Sequence, residues 1–115
     1  MADDTVYVNF QEGVKRLMNN ANLYIKLLGK FKNDINLSEI EEAIAAGDLE
    51  KAQAVAHTVK GIAANLSLTE LFNASLKLET QIKAGNPDPE QVEILKTVYE
   101  TTLQEVEKVI AKNGQ

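Results

Sequence analysis

The 115-residue chain has a single histidine. Its setting, Ala56-His57-Thr58-Val59-Lys60-Gly61, puts an imidazole, an ammonium group and a bare backbone position within about one helical turn. On a helix advancing about 100° per residue, Ala52, Val55, Ala56, Val59, Ile62, Ala63 and Leu66 fall within an arc of roughly 120°. That arc is expected to face the core. His57 projects about 160° from its centre, and Gly61 lies on the same outward side one turn later. A solvated imidazole that is largely neutral at pH 7 keeps a ring lone pair for nucleophilic attack, and burial is not needed for that chemistry.

The outward face around His57 is built from Ala54, Gly61 and Ala64, where a solvated helix would ordinarily carry Lys, Glu or Gln. Glycine inside a helix costs about 1 kcal/mol relative to alanine, so Gly61 needs a compensating reason, and close approach by a partner would supply one. Lys60, three residues after His57, is within reach of whatever the ring carries and suits a phosphoryl group. The structural alternative has equal weight at this point: an ordinary surface histidine, a solvated lysine and a glycine that lets helices pack closely.

Composition narrows the classes. With 44% hydrophobic residues and no cysteine, the chain can bury one core as a single domain over residues 1–115, without disulfides. No apolar run approaches the roughly 18 residues of a membrane span and no signal segment is evident, so a cytoplasmic, soluble protein is expected. The net charge of -5, with twelve scattered basic residues, argues against a nucleic-acid partner, which would need a clustered basic surface.

Apolar spacing of three and four, with no sustained two-residue alternation, predicts an all-α chain. Capping pairs are read at Asn9 with Glu12, Ser38 with Glu41, Ser67 with Glu70 and Asp88 with Gln91. Pro89 suits a first helical position, and Gly47 and Gly85 suit helix ends. Helices are expected at about 10–18, 22–32, 38–46, 49–66, 68–84 and 89–112, give or take roughly two to four residues. Three seams supply the core: Leu23, Leu27, Leu28 and Phe31; Leu71, Ser75, Leu78 and Ile82; and Val92, Leu95, Tyr99, Val106 and Ile110. Short connections imply an antiparallel up-and-down four-helix bundle with a short extra N-terminal helix. Met1 to Tyr7 shows no helical register, and Asp3 and Asp4 read as terminal solubility charges. Tyr24, Tyr99, Phe31 and Phe72 read as packing residues, and Glu39, Glu41 and Glu42 as a favourable helix N-terminus on a solvated face.

The run from Ala56 to Leu66, Ala-His-Thr-Val-Lys-Gly-Ile-Ala-Ala-Asn-Leu, resembles the histidine-containing phosphotransfer (HPt) domains. The resemblance extends to Gly13–Leu17 and Asn22–Phe31, to Gly47-Asp48 before the histidine helix and to Leu78-Glu79 after it. It implies a four-helix bundle whose exposed histidine relays phosphoryl groups between receiver-domain aspartates. On that resemblance His57 is the phosphorylated nucleophile, Lys60 helps hold the phosphoryl group, and Gly61 keeps the approach open. Ala54 and Ala64 would flank the docking face, and Gln53 is a weaker candidate for orienting the ring. The family often has glycine where this chain has Ser67; the capping pair with Glu70 offers a structural explanation.

The resemblance further implies a monomeric phosphorelay carrier serving the receiver domains of response regulators and hybrid sensor kinases, with no cofactor of its own and magnesium on the receiver. The chain carries no catalytic base, no phosphate-binding loop and no kinase signature, so it should not use ATP. An alternative is a non-catalytic interaction module using the face around His57. A carboxylate-bundle metal site is disfavoured, because Ala54 stands three residues before His57 where such sites carry glutamate, and there is no second histidine.

Overall fold

A computed structural model describes residues 6–114, so Met1 to Thr5, including Asp3 and Asp4, lie outside the described residues. The described residues form six helices and no strand: α1 (Phe10–Arg16), α2 (Ala21–Asp34), α3 (Ser38–Ala45), α4 (Leu49–Asn65), α5 (Thr69–Lys83) and α6 (Pro89–Gly114). None is long and apolar enough to cross a membrane. Helix α4 packs against α3 and α5, and α6 packs against α5 and α2.

The helix starts follow from short polar side chains that accept otherwise unpaired N–H groups. Asn9 accepts from the Glu12 amide at 3.2 Å, Asn20 from Leu23 at 3.0 Å, and Asp48 from Lys51 at 3.1 Å. The Asp88 carboxylate accepts from the Glu90 amide at 2.9 Å. Its expected partner Gln91 is instead buried, donating to the Ala74 carbonyl at 3.1 Å. At α3 the N-cap position falls on Leu37, one residue before Ser38, and makes no side-chain cap; Asn36, two residues before Ser38, accepts from the amide of that first helical residue. Glu41, free of the capping role, accepts from Lys96 of α6 at 3.1 Å.

Four helix ends close with one device. After α1, α3, α4 and α5 a residue in the left-handed region lets the chain fold back, and paired amide donors satisfy the last carbonyls. Gly47 and Gly85 take that position after α3 and α5, as the sequence implies, with φ of 77° and 80°. Met18 and Ser67 take it after α1 and α4, with φ of 58° and 56°. Met18 ends α1 two residues earlier than its apolar spacing suggests.

Ser67 therefore does not cap α5. Its amide donates to the Ala64 carbonyl and that of Leu68 to Ala63, closing α4, and the serine hydroxyl is buried without a hydrogen-bond partner. The Ser-x-x-Glu spacing is satisfied in sequence, but the backbone needs this residue to terminate the preceding helix. Glycine would serve the same end with less strain, because it adopts this conformation without a Cβ penalty.

The core is one cluster. Tyr24, Leu28 and Phe31 of α2, Leu71, Leu78 and Ile82 of α5, and Leu95 and Val106 of α6 are buried. Leu23, expected in the α2 seam, is instead 39% exposed, and Tyr24 takes its place. Phe31 is buried as a packing residue and meets Tyr99 edge to face. The buried face of α4 is almost all alanine: Ala52, Ala56 and Ala63, with Val59. Small side chains there let α5 approach closely, which matters for the site.

The far end of α4 is fastened from outside. Tyr24 donates its hydroxyl to the Leu66 carbonyl at 2.6 Å, and the Asn9 amide donates to the Ser67 carbonyl at 3.0 Å. Burial, helped by the charge of Glu12, pushes the Tyr24 phenol up to about 12, so it stays a donor at all ordinary pH. A Cβ on Gly13 would overlap the Tyr24 ring, so glycine is what allows α1 to rest on it.

Replacing Ser67 with glycine should relieve the left-handed strain, roughly 1–2 kcal/mol, and remove the orphaned hydroxyl, offset in part by glycine's greater unfolded freedom. The urea midpoint of Ser67→Gly should rise. Ser67→Ala, which keeps the strain, should gain less.

Candidate functional site

The candidate nucleophile and its neighbours come from two helices, α4 and α5. His57 meets Glu79, Gln53 lines one cleft with Lys83, and Ala64 lines another recess with Phe72. The side chain of His57 is 68% exposed, yet its Nδ1 lies 3.0 Å from Oε2 of Glu79. The ring therefore stands on the flank of α4 that borders α5. Glu79 is the opposite case, with a side chain only 3% exposed.

A buried carboxylate must be compensated. Lys60 supplies the main compensation, its Nζ 2.7 Å from Oε1 of Glu79, and Lys83 stands 3.9 Å from Oε2. Burial alone would raise the Glu79 carboxyl above its ordinary value. The hydrogen bonds from Lys60 and His57, with the charges of Lys60 and Lys83, outweigh burial and hold it below that value.

Protonation of the ring follows. An ionised carboxylate only accepts, so Nδ1 of His57 carries the proton and donates to Glu79. In the neutral ring the lone pair then belongs to the other nitrogen, Nε2. Glu79 thus fixes both the rotation and the tautomer of a ring that is otherwise in solvent.

The expected site residues divide between two recesses. Ala54, Gln53, Thr58 and Glu50 line the open cleft shared by His57, Glu79 and Lys83. Gln53 is at hand, but the ring it was expected to orient is held at Nδ1 by Glu79. Ala64 lines a separate recess, two turns along α4, with Glu12, Arg16, Ser67 and Phe72. Lys60 has its ammonium on Glu79, and only 22% of its side chain is exposed. Gly61 has nothing within 4 Å of where a Cβ would be, so packing within this chain does not require glycine there. Among the described residues, no group of three or more His, Cys, Asp or Glu side chains could hold a metal ion.

Glu79 has no assigned role in the sequence reading, where it stands only as part of the Leu78-Glu79 resemblance. Its signal was its register: it follows the seam residues Ser75 and Leu78 and precedes Ile82, a charge where the helix turns toward its neighbours.

The Hpt domain family model matches residues 27–110, from the middle of α2 to near the end of α6. The chain belongs to the Hpt domain family. No curated protein and no solved structure matches the chain. Hpt domains are histidine phosphotransfer modules of phosphorelays: they carry phosphoryl groups, are not kinases, and work with receiver domains.

Three outcomes test the site. Gly61→Ala should stabilise α4 by up to about 1 kcal/mol, read as a higher urea midpoint, because the new methyl meets nothing. Lys60→Met should lower stability by about 1–3 kcal/mol, less than a fully buried pair would lose because His57 and Lys83 remain beside the carboxylate. The native carboxyl is held below its ordinary value near 4.5, so the stability it contributes is complete above that pH and is lost as pH falls below it. Glu79→Gln should flatten that acid limb of the stability profile.

Proposed function

We propose that this chain is a phosphorelay intermediate that accepts a phosphoryl group on Nε2 of His57 from a receiver-domain aspartate and passes it to another. The observation that carries the reading is the pairing of an exposed imidazole with a buried, ionised carboxylate at 3.0 Å, which holds Nδ1 and leaves Nε2 as the nitrogen turned away from Glu79. The bond formed is N–P and the bond broken is the P–O bond of the aspartyl phosphate. The leaving group is the receiver's carboxylate. No proton has to move: Nδ1 keeps its hydrogen, and the positive charge that develops on the ring is met by Glu79.

Such a transfer passes through a loose transition state, so the protein's contribution is in-line positioning and charge. Magnesium and the acidic pocket belong to the receiver in this reading, and the chain brings no cofactor. Lys60 acts through Glu79, holding it ionised and in place. Gly61 and Ala54 leave room beside the ring, and Ala64 extends the face toward α1. The four long helices α2, α4, α5 and α6 serve as an antiparallel bundle that holds α4 stiff, with α1 across one end. A cytoplasmic location, as a monomer, belongs to the same reading.

The test is incubation with a phosphorylated receiver domain. Wild-type chain should acquire acid-labile phosphate and His57→Gln none. Glu79→Gln, which loses the counter-charge, should transfer about 10- to 100-fold more slowly, as for loss of a charged hydrogen bond of about 1.5–3 kcal/mol. Receiver binding without labelling of the wild type would leave a non-catalytic interaction module instead.

A further inference from the structure

Two lysines stand beside Glu79, and they are held very differently. The ammonium of Lys60 is 2.7 Å from the carboxylate on a side chain that is mostly buried. Moving it to a group on the far side of the imidazole would strand a buried negative charge. Lys83, one turn after Glu79 on α5, approaches only to 3.9 Å and its side chain is 57% exposed. A contact of 3.9 Å made by an exposed ammonium is weaker than that of Lys60, so Lys83 gives up less by turning elsewhere.

Lys83 also shares the open cleft into which His57 projects, whose lining does not include Lys60. Through the shared Oε2 of Glu79, its ammonium lies no farther from Nδ1 of His57 than the two legs of 3.0 and 3.9 Å together. The four-carbon stem of a lysine sweeps that distance freely. The other polar groups of the cleft do not compete as cations: Glu50 and Glu79 are acidic, Gln53 is neutral, and the Thr58 hydroxyl donates to the Ala54 carbonyl at 3.0 Å.

We propose that Lys83, and not Lys60, is the cation that meets the phosphoryl group carried on Nε2 of His57. This assignment rests on the phosphotransfer reading above. It divides the labour between the lysines: Lys60 keeps the buried carboxylate charged, while Lys83 leaves that carboxylate for the phosphoryl oxygens.

The test loads His57 chemically with phosphoramidate, a small donor that needs no receiver, and follows the phosphoryl group by 31P NMR titration in the full chain. Wild type should take the label and His57→Gln should not. In Lys83→Gln the phosphoryl group should protonate at a pH higher by about half a unit, the size of an exposed ion pair. Lys83→Gln should lower the urea midpoint less than Lys60→Gln does, and Lys83→Arg should restore the wild-type titration. Lys60→Gln should show the wild-type phosphoryl titration with a lower urea midpoint. A labelled protein whose titration moves with Lys60→Gln and not with Lys83→Gln, or with neither, overturns the assignment while leaving the phosphotransfer reading intact. Failure of the wild type to take any label at His57 overturns both.

Discussion

A carboxylate sealed between two helices, with a histidine on one oxygen and a lysine on the other, is the constraint around which this molecule is arranged. Glu79 is 2% exposed and ionised, a costly combination unless every oxygen has a partner. Its partners lie on α4, one turn apart, at His57 and Lys60. The alanine face of α4 is what brings α5 close enough for both contacts. A helix buried through leucines would stand farther off, and the imidazole would have only water to orient it.

The arrangement also separates two demands that are hard to meet with one residue. A nucleophile on a carrier must be open to large partners, yet its reactive atom must be fixed in direction. In the proposed carrier role the exposed ring would supply access and the buried carboxylate direction. Gly61 fills no packing role in this chain, and its helix bears the conformational cost.

Much of the architecture was legible in the amino-acid sequence. All six helices fall within two residues of their expected bounds, because apolar periodicity and punctuation by Asn9, Gly47, Gly85 and Pro89 agree. Legibility failed where one pattern served two ends. Ser67-x-x-Glu70 has the form of a capping box, and nothing local reveals that residue 67 is needed to end α4. The site was half legible: His57 and Gly61 stand out by residue type, whereas the partner of the ring lies 22 residues away on another helix. A glutamate beside an apolar seam reads as solvated until the neighbouring helix is known, so the sequence offers Lys60 no partner but the group on the ring.

The fastening at the end of α4 has a mechanical consequence. Two carbonyls there, of Leu66 and Ser67, are pinned by the Tyr24 hydroxyl and the Asn9 amide. A helix that slipped by one residue would turn through about 100° and carry its imidazole off the carboxylate altogether. The pins therefore index the shaft: the heading of a ring near its middle is governed by contacts at its tip, and the short first helix serves as part of the aiming gear.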